Sequence, residues 1–355
     1  MSLAEPTFHD QGRRRKSASA LALALLRFVF IAAATFLGLI AVTFFIGRVM
    51  PIDPVLAIVG DRAPASVVAA ARQQYGFDLP VWQQFFLYLK KALAGDFGTS
   101  VLSTYPVMQD IRRVFPATLE LATVGTLIGL LFGIPLGVLA AVKRGSFIDQ
   151  AVRVVGLIGY SMPIFWLGLL GLLVFYARLG WVEGPGRIGI AYEYTFTPVT
   201  GLYLVDAIIQ RDWGAFRDVF SHIILPASLL GYTSMAYISR MTRSFMLNEL
   251  SQEYVVAARA KGLSEARIIW GHALRNAAVP LVTVIVLSYA TLLEGSVLTE
   301  VVFSWPGIGL YLTNSLQNAD MNAVLGATIV VGAVFIALNL LSDLLYQLLD
   351  PRTRS

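Results

Sequence analysis

Six stretches of about twenty residues with almost no charged side chain recur along this 355-residue chain, and nothing else in it restricts the fold as strongly. They lie at 28–46, 117–142, 154–176, 222–239, 279–298 and 325–348. An α-helix rises ~1.5 Å per residue, so each run is long enough for the ~30 Å of a bilayer's hydrocarbon. Composition agrees, with 57% hydrophobic and 14% charged residues, whereas soluble domains hold roughly half and a quarter. The expectation is an all-α polytopic membrane protein with six transmembrane helices. The fourth run is the weakest, because it is short and contains Pro226, Ser228, Thr233 and Ser234. Backbone freed by proline can be satisfied inside a bundle but not against lipid, which predicts a central position for it.

Basic residues set the orientation. Arg13, Arg14, Arg15, Lys16 and Arg27 precede the first run, Lys143, Arg144 and Arg153 follow the second, and Arg352 and Arg354 follow the sixth. Between the fourth and fifth stand Arg240, Arg243, Arg259, Lys261, Arg267 and Arg275. Sixteen of the 27 Lys and Arg thus fall on one side, close to span ends, which marks that side as cytoplasmic. Both termini are placed there, as tails 1–27 and 349–355. The basic cluster before the first run resembles a secretory signal, but the run is too long for one and has no convincing cleavage site, so an uncleaved span is expected. The net charge of +5 fits a cytoplasmic face opposite anionic lipid.

Two outer loops, 47–116 and 177–221, are long and aromatic. In the first, Trp82, Phe85, Phe86, Leu89 and Leu93 recur at helical spacing, as in a helix lying on the membrane surface or against the bundle. In the second span Gly125, Gly129, Gly133 and Gly137 line one helix face, where another backbone can approach closely, and Pro135 is a possible kink.

The inner connection 240–278 contains a helix, tight turn, helix pattern. Ser251 is an expected N-cap, Gly262 suits the left-handed position after the first helix, and Ser264 starts a second helix with Ala266, Ile269, Ala273 and Ala277 along one face. DNA binding by such a motif is excluded by its tethers, which join it to membrane spans within about a dozen residues at each end. An amphipathic connection resting on headgroups is an alternative, but Ala257, Ala258, Ala260 and Gly262 offer little apolar area for lipid. Small residues suit a helix that fits a protein groove.

"AARAKGL" followed by "HALRNAAVP" resembles the EAA-type loop of ABC importer permeases, the element that docks onto the ATP-hydrolysing subunit. "PIDPV", "YGFDLPVWQQFFLYLKKALAGDFGTS" and "LEGSVLTEVVFSWPGIGLYLTNSLQNAD" resemble the branch that serves dipeptides, oligopeptides and nickel. The resemblance implies a type I importer permease fold in the bacterial cytoplasmic (inner) membrane. It implies a second homologous permease, one or two ATPase subunits that use ATP and Mg²⁺, and an extracytoplasmic substrate-binding protein. Tyr254, Ala257, Ala258, Lys261, Gly262 and Glu265 would form the docking segment. One departure is plain: the loop's eponymous Glu-Ala-Ala is here Val256, Ala257, Ala258, so a salt link from that Glu has no residue to make it.

The chain has no G-x-x-x-x-G-K-[ST] phosphate loop, so no ATP chemistry or cofactor of its own is expected, and any ATP-derived energy comes from another polypeptide. With no cysteine, and His9, His222 and His272 far apart, no metal site is expected. Glu294 is the one acid placed well inside a predicted span; it would contact substrate or pair within the bundle. Glu120 reads as interfacial. Ser161, Pro163 and Trp166 suggest a kink near the path, and Trp305, Pro306 and Gly307 a rigid turn that the resemblance places near the outer gate. An ion-coupled secondary transporter is the alternative, though paired repeats are not found. No nucleophile, acid–base pair or metal set clusters as a membrane enzyme would require.

Overall fold

The computed structural model describes Leu26 and residues 29–45, 54–60, 62–74 and 76–349. The predicted tails apart from Leu26 and Leu349, His9, and the first three residues of the motif at 51–55 lie outside the described residues. In chain order the helices are α1 (Val29–Phe45), α2 (Pro54–Val59), α3 (Ala65–Gln74), α4 (Val81–Leu93), α5 (Val107–Val142), α6 (Phe147–Ser161) and α7 (Ile164–Gly171), which a π-helical turn, Leu172–Arg178, extends. They continue as α8 (Ile190–Glu193), α9 (Tyr203–Gln210), α10 (Trp213–Leu250) and α11 (Glu253–Ala260). A second π-helical turn, Arg267–Ala273, leads into α12 (Leu274–Gly295), followed by α13 (Val297–Val302), α14 (Ile308–Gln317) and α15 (Met321–Leu349). Among the described residues no strand forms; one isolated bridge pairs Thr99 with Pro106.

Four helices are long and apolar enough to cross a bilayer: Val107–Val142, Trp213–Leu250, Arg267–Gly295 and Met321–Ser342. The pair α6 and α7, bent by 95°, makes a fifth if it counts as one span, and α1 is a shorter apolar helix at the first predicted run. Helix boundaries differ from the apolar runs for a physical reason. Once its nucleus exists a helix propagates through polar sequence, so α5 begins at Val107 rather than 117 and α10 runs from 213 to 250 rather than 222 to 239. Asp212 starts α10 by accepting a hydrogen bond from the Ala215 N–H at 2.9 Å.

The expected kink in the third span is a complete break. Pro163 cannot donate, and its ring disfavours the helical region for the residue before it; Met162 is extended, at φ −85° and ψ 135°. At the other end of α6, Ser146 caps the Asp149 N–H, while the Asp149 carboxylate accepts from Gly145 N at 2.9 Å and from Arg243 of α10 at 2.7 and 2.9 Å. That bidentate pair fastens the short 143–146 turn to α10.

α10 is the central helix: 56% of its apolar window is buried, against 44% or less in the other long spans. The polarity of Pro226 and Ser234 is thereby explained, since both are buried, and Ser234 shares a hydrogen bond of 3.0 Å with Ser288 on α12. The glycine stripe of α5 packs on α10. A Cβ at Gly129 would lie 2.5 Å from Ser234 Oγ, and one at Gly137 would lie 2.6 Å from the Ser239 carbonyl oxygen. Pro135 stays within the continuous α5. Near the Val107 end of α5, α4 lays Phe85, Tyr88 and Leu89 on a cluster that contains Ile40 of α1 and Ala323 and Ala327 of α15.

Candidate functional site

Two regions carry the sequence-derived candidates, one at each end of the bundle. The first is the hairpin between α10 and α12. Gln252 rather than Ser251 occupies the N-cap of α11; Ser251 is the C-cap of α10, with helical backbone angles, and its hydroxyl donates to the Asn248 carbonyl at 2.8 Å. Val255 is fully buried and pins the helix. Ala257, Lys261, Gly262 and Glu265 are exposed, and Ala258 is half-buried. Gly262 follows the C-cap with φ +77°, the left-handed conformation its position requires. Across the turn the Arg259 guanidinium donates to both Glu265 oxygens at 2.8 and 3.2 Å and holds that carboxyl below the usual carboxylate range. Tyr254 donates to Glu249 at 2.7 Å; burial first, then this carboxylate, pushes the phenol up to about 12.

The second arm does not keep the expected face. A π-helical turn fits more residues into each turn than an α-helix, so the buried set is Ile268, Ala273 and Ala277, and Ala266 is exposed. Trp270 on the second arm is 47% exposed and Val256 on the first 63%. The hairpin therefore offers small and apolar side chains on a surface that nothing else among the described residues covers.

At the opposite end, α13, α14 and the turn between them are locked onto one turn of α5. Trp305 is fully buried, and its Nε1–H donates to the Ala117 carbonyl at 2.9 Å. Glu300, also fully buried, accepts from Thr118 Oγ1 at 2.7 Å, Ser296 Oγ at 3.0 Å, and the Gly309 and Leu310 N–H groups at 2.7 and 3.0 Å. The last two are orphan donors of the first turn of α14, so the carboxylate caps a helix from a distant position. A Cβ at Gly307 would meet this carboxylate at 2.5 Å, which is why glycine stands there. Trp305 and Gly307 thus sit inside a packed turn; only Pro306 of the three is exposed.

Glu120 is buried rather than interfacial. Arg187 donates to its Oε2 at 2.6 and 3.2 Å, Leu204 N–H donates to its Oε1 at 2.7 Å, and the Arg187 guanidinium lies 3.7 Å over the Tyr203 ring. Residues 117, 118 and 120 of α5 therefore hold both the α13–α14 turn and the 187–204 segment. Glu294 stands in the last turn of α12 rather than in mid-span, because the helix ends at Gly295. It is exposed beside a crevice of about 10 Å³, room for one water at most. Ser161 is exposed at the end of α6. Among the described residues, neither hydrogen-bonds to these segments or to the hairpin.

Sequence reasoning passed over Glu300, Thr118 and Arg187. Their signal was faint: an acid five residues before a Trp-Pro-Gly turn that has no basic residue near it in sequence.

Long apolar helices, a glycine-packed centre and an exposed polar hairpin define a multi-pass helical membrane protein. Residues 133–355 match the family described as the binding-protein-dependent transport system inner membrane component, and residues 22–122 match that description's N-terminal counterpart. The chain belongs to this family and is the permease component of an ABC importer. A di/tripeptide transport system permease protein, DppB, of Pseudomonas aeruginosa is 43% identical over 90% of this chain and 95% of its own. The probable D,D-dipeptide permease DdpB of Escherichia coli is 42% identical over 89% and 92%, and the glutathione permease GsiC of Salmonella choleraesuis 35% over 90% and 95%. Among solved structures, the methionine ABC transporter MetNI in inward-facing conformations aligns with a TM-score of 0.49 and 20% identity, over 68% of this chain and 97% of that one. The ion-coupled alternative finds no support in these relatives.

Proposed function

We propose that the chain is one half of the translocation path of a bacterial inner-membrane importer for di- and oligopeptides, with six spans and both termini in the cytoplasm. A second homologous permease completes the path, an extracytoplasmic binding protein delivers the peptide, and one or two cytoplasmic ATPase subunits supply the work with ATP and Mg²⁺. The substrate class rests on relatives named for di- and tripeptides. Ser161 and Glu294, both exposed on this chain, belong in this reading to surfaces that face the path or the second permease. Trp305, Pro306 and Gly307 act by fixing the outer segments that frame it.

The observation that carries the reading is the hairpin. α10 continues as one helix from the bundle centre to Leu250, Val255 anchors the next helix, and Ala257, Lys261 and Gly262 are exposed, as is Glu265, whose carboxylate pairs with Arg259 within the hairpin. A subunit that grips this face and moves would change the angle of α10 and, through the π-helical turn, of α12.

Gly262→Arg tests this poorly, since any side chain at φ +77° carries about 1–2 kcal/mol of strain. Ala257→Arg is cleaner, because the position is exposed and helical. The expected result is normal membrane insertion with peptide uptake reduced at least about tenfold, equivalent to about 1.4 kcal/mol of lost coupling. The chain contains no cysteine, so Ala257→Cys carries its only thiol and should crosslink to the ATPase. Full uptake by Ala257→Arg, or labelling of Ala257→Cys from outside the cell, would overturn the docking role.

A further inference from the structure

α6 is fastened to α10 from Asp149 to Gly159, and the strongest fastening lies farthest from the break in the span. Asp149 is buried, and Arg243 of α10 grips both its oxygens at 2.7 and 2.9 Å. Arg153, on α6 itself, stands 3.6 Å away and is largely exposed, so the bond that crosses between the helices belongs to Arg243. Toward the break Gly156 packs on Ala236, where a Cβ would lie 4.0 Å from the Ala236 Cβ. The Tyr232 hydroxyl donates to the Val155 carbonyl at 2.7 Å. Its ring lies on Gly159, where a Cβ would come within 2.7 Å of it.

Beyond Pro163 the partners change. A Cβ at Gly168 would stand 3.1 Å from Val302, 3.2 Å from Phe303 and 3.6 Å from Leu229, and one at Gly171 would stand 3.2 Å from Leu225. α6 thus packs on residues 232–243 of α10, the part that runs into the hairpin, whereas α7 packs on α13 and on Leu225 and Leu229. Between the two, Pro163 has no N–H to donate and Met162 is extended, so the helical ladder is already open at this joint. Asp149 precedes Pro163 by fourteen residues, about 20 Å along a helix axis, where a pull on α6 has its greatest leverage.

We propose that Asp149 and Arg243 are a positioning pair of the transport cycle: they make α6 follow α10 when the hairpin is moved, with Met162 and Pro163 as the hinge. The inference rests on the docking reading of the hairpin above. A pair that served folding alone would change how much importer survives, and not how many peptides cross for each ATP consumed.

The test uses the assembled importer in proteoliposomes, with trialanine as the probe and with uptake and ATP hydrolysis measured together. Asp149→Asn combined with Arg243→Gln removes both charges, leaves no unpaired charge buried, and keeps an acceptor for the Gly145 N–H. Peptide carried per ATP hydrolysed should fall about tenfold while hydrolysis itself is retained. Gly156→Cys combined with Ala236→Cys places the two Cβ atoms within the ~3.5–4.5 Å that a disulfide spans, in a chain with no cysteine of its own. Oxidation should leave uptake intact in the otherwise parental chain and, in the neutral pair, should restore the ratio to within about twofold of parent. A parental ratio in the neutral pair, uptake abolished by the disulfide in the otherwise parental chain, or no restoration by the disulfide would each overturn the coupling. If the two cysteines already stop uptake when reduced, the ratio in the neutral pair decides alone. Any of these failures in an importer whose parent carries trialanine removes only this inference; a parent that carries no peptide removes the transport reading.

Discussion

Replacing Glu300 separates a helix-capping role from a role in transport chemistry. The carboxylate accepts four hydrogen bonds, two of them from the Gly309 and Leu310 N–H groups at the start of α14. Glu300→Ala orphans both N–H groups in a dry interior, and a buried unsatisfied donor costs about 1–3 kcal/mol, so about 3 kcal/mol against α14 is a moderate figure. Glu300→Gln keeps an oxygen for the two N–H groups and turns its NH₂ toward hydroxyls that can rotate, a loss of about 1 kcal/mol. Local opening of α14 should therefore rise about 150-fold in the Ala variant and about fivefold in the Gln variant. The reporter is Ser315→Cys on α14: the residue is fully buried, its hydroxyl has no partner, and the chain has no competing thiol. Its labelling rate follows the population of the open state. Labelling that stays at the parental rate in Glu300→Ala, together with lost uptake, would refute the cap and move Glu300 into the transport step.

Two further outcomes follow from the same packing. Arg187→Met leaves Glu120 buried with Leu204 N–H as its only remaining donor, a loss of about 3–5 kcal/mol, and should expose the 187–204 segment to proteolysis. Arg187→Lys keeps the charge but loses the fork and the stacking on Tyr203, and should fall between; equal cleavage of Arg187→Met and parent would refute the clamp. Gly129→Ala forces a methyl group to 2.5 Å from Ser234 Oγ and should cost about 1–3 kcal/mol of stability, read as a lowered thermal midpoint of the detergent-solubilised chain, whereas Gly295→Ala meets open space and should be neutral or stabilising. A reversed order would remove close α5–α10 packing as the reason for the glycine stripe.

Much of the bundle is legible from hydropathy because lipid enforces a single rule over some twenty residues at a time. The polar neighbours of Pro226 announce a central helix, and Pro163 announces a discontinuity. The rule fails where water returns. α5 and α10 extend past the apolar windows because a helix needs no lipid to continue. The π-helical turn at 267–273 shifts the buried face of the hairpin, and residue spacing alone does not encode it.

The acids show most clearly what hydropathy misses. Glu294 lies in an apolar run and by depth alone belongs inside; Glu300, six positions on, lies past that run and by depth alone belongs at the surface. The structure reverses them. Termination of α12 at Gly295 lets Glu294 reach the exposed side, while Glu300 is fully buried because a hydroxyl 182 positions away and three nearer groups offer it four donors. Asp320 repeats the pattern, taking Ser100 Oγ at 2.5 Å and the Val101 N–H at 2.8 Å from 220 and 219 positions away. Whether a carboxylate can be buried is decided by the donors that converge on it, and convergence is a property of the folded chain. The contacts of Glu300 and Asp320 are such distant meetings, whereas the hairpin between α10 and α12 is local in sequence, which is why its helix, turn, helix pattern could be read in advance.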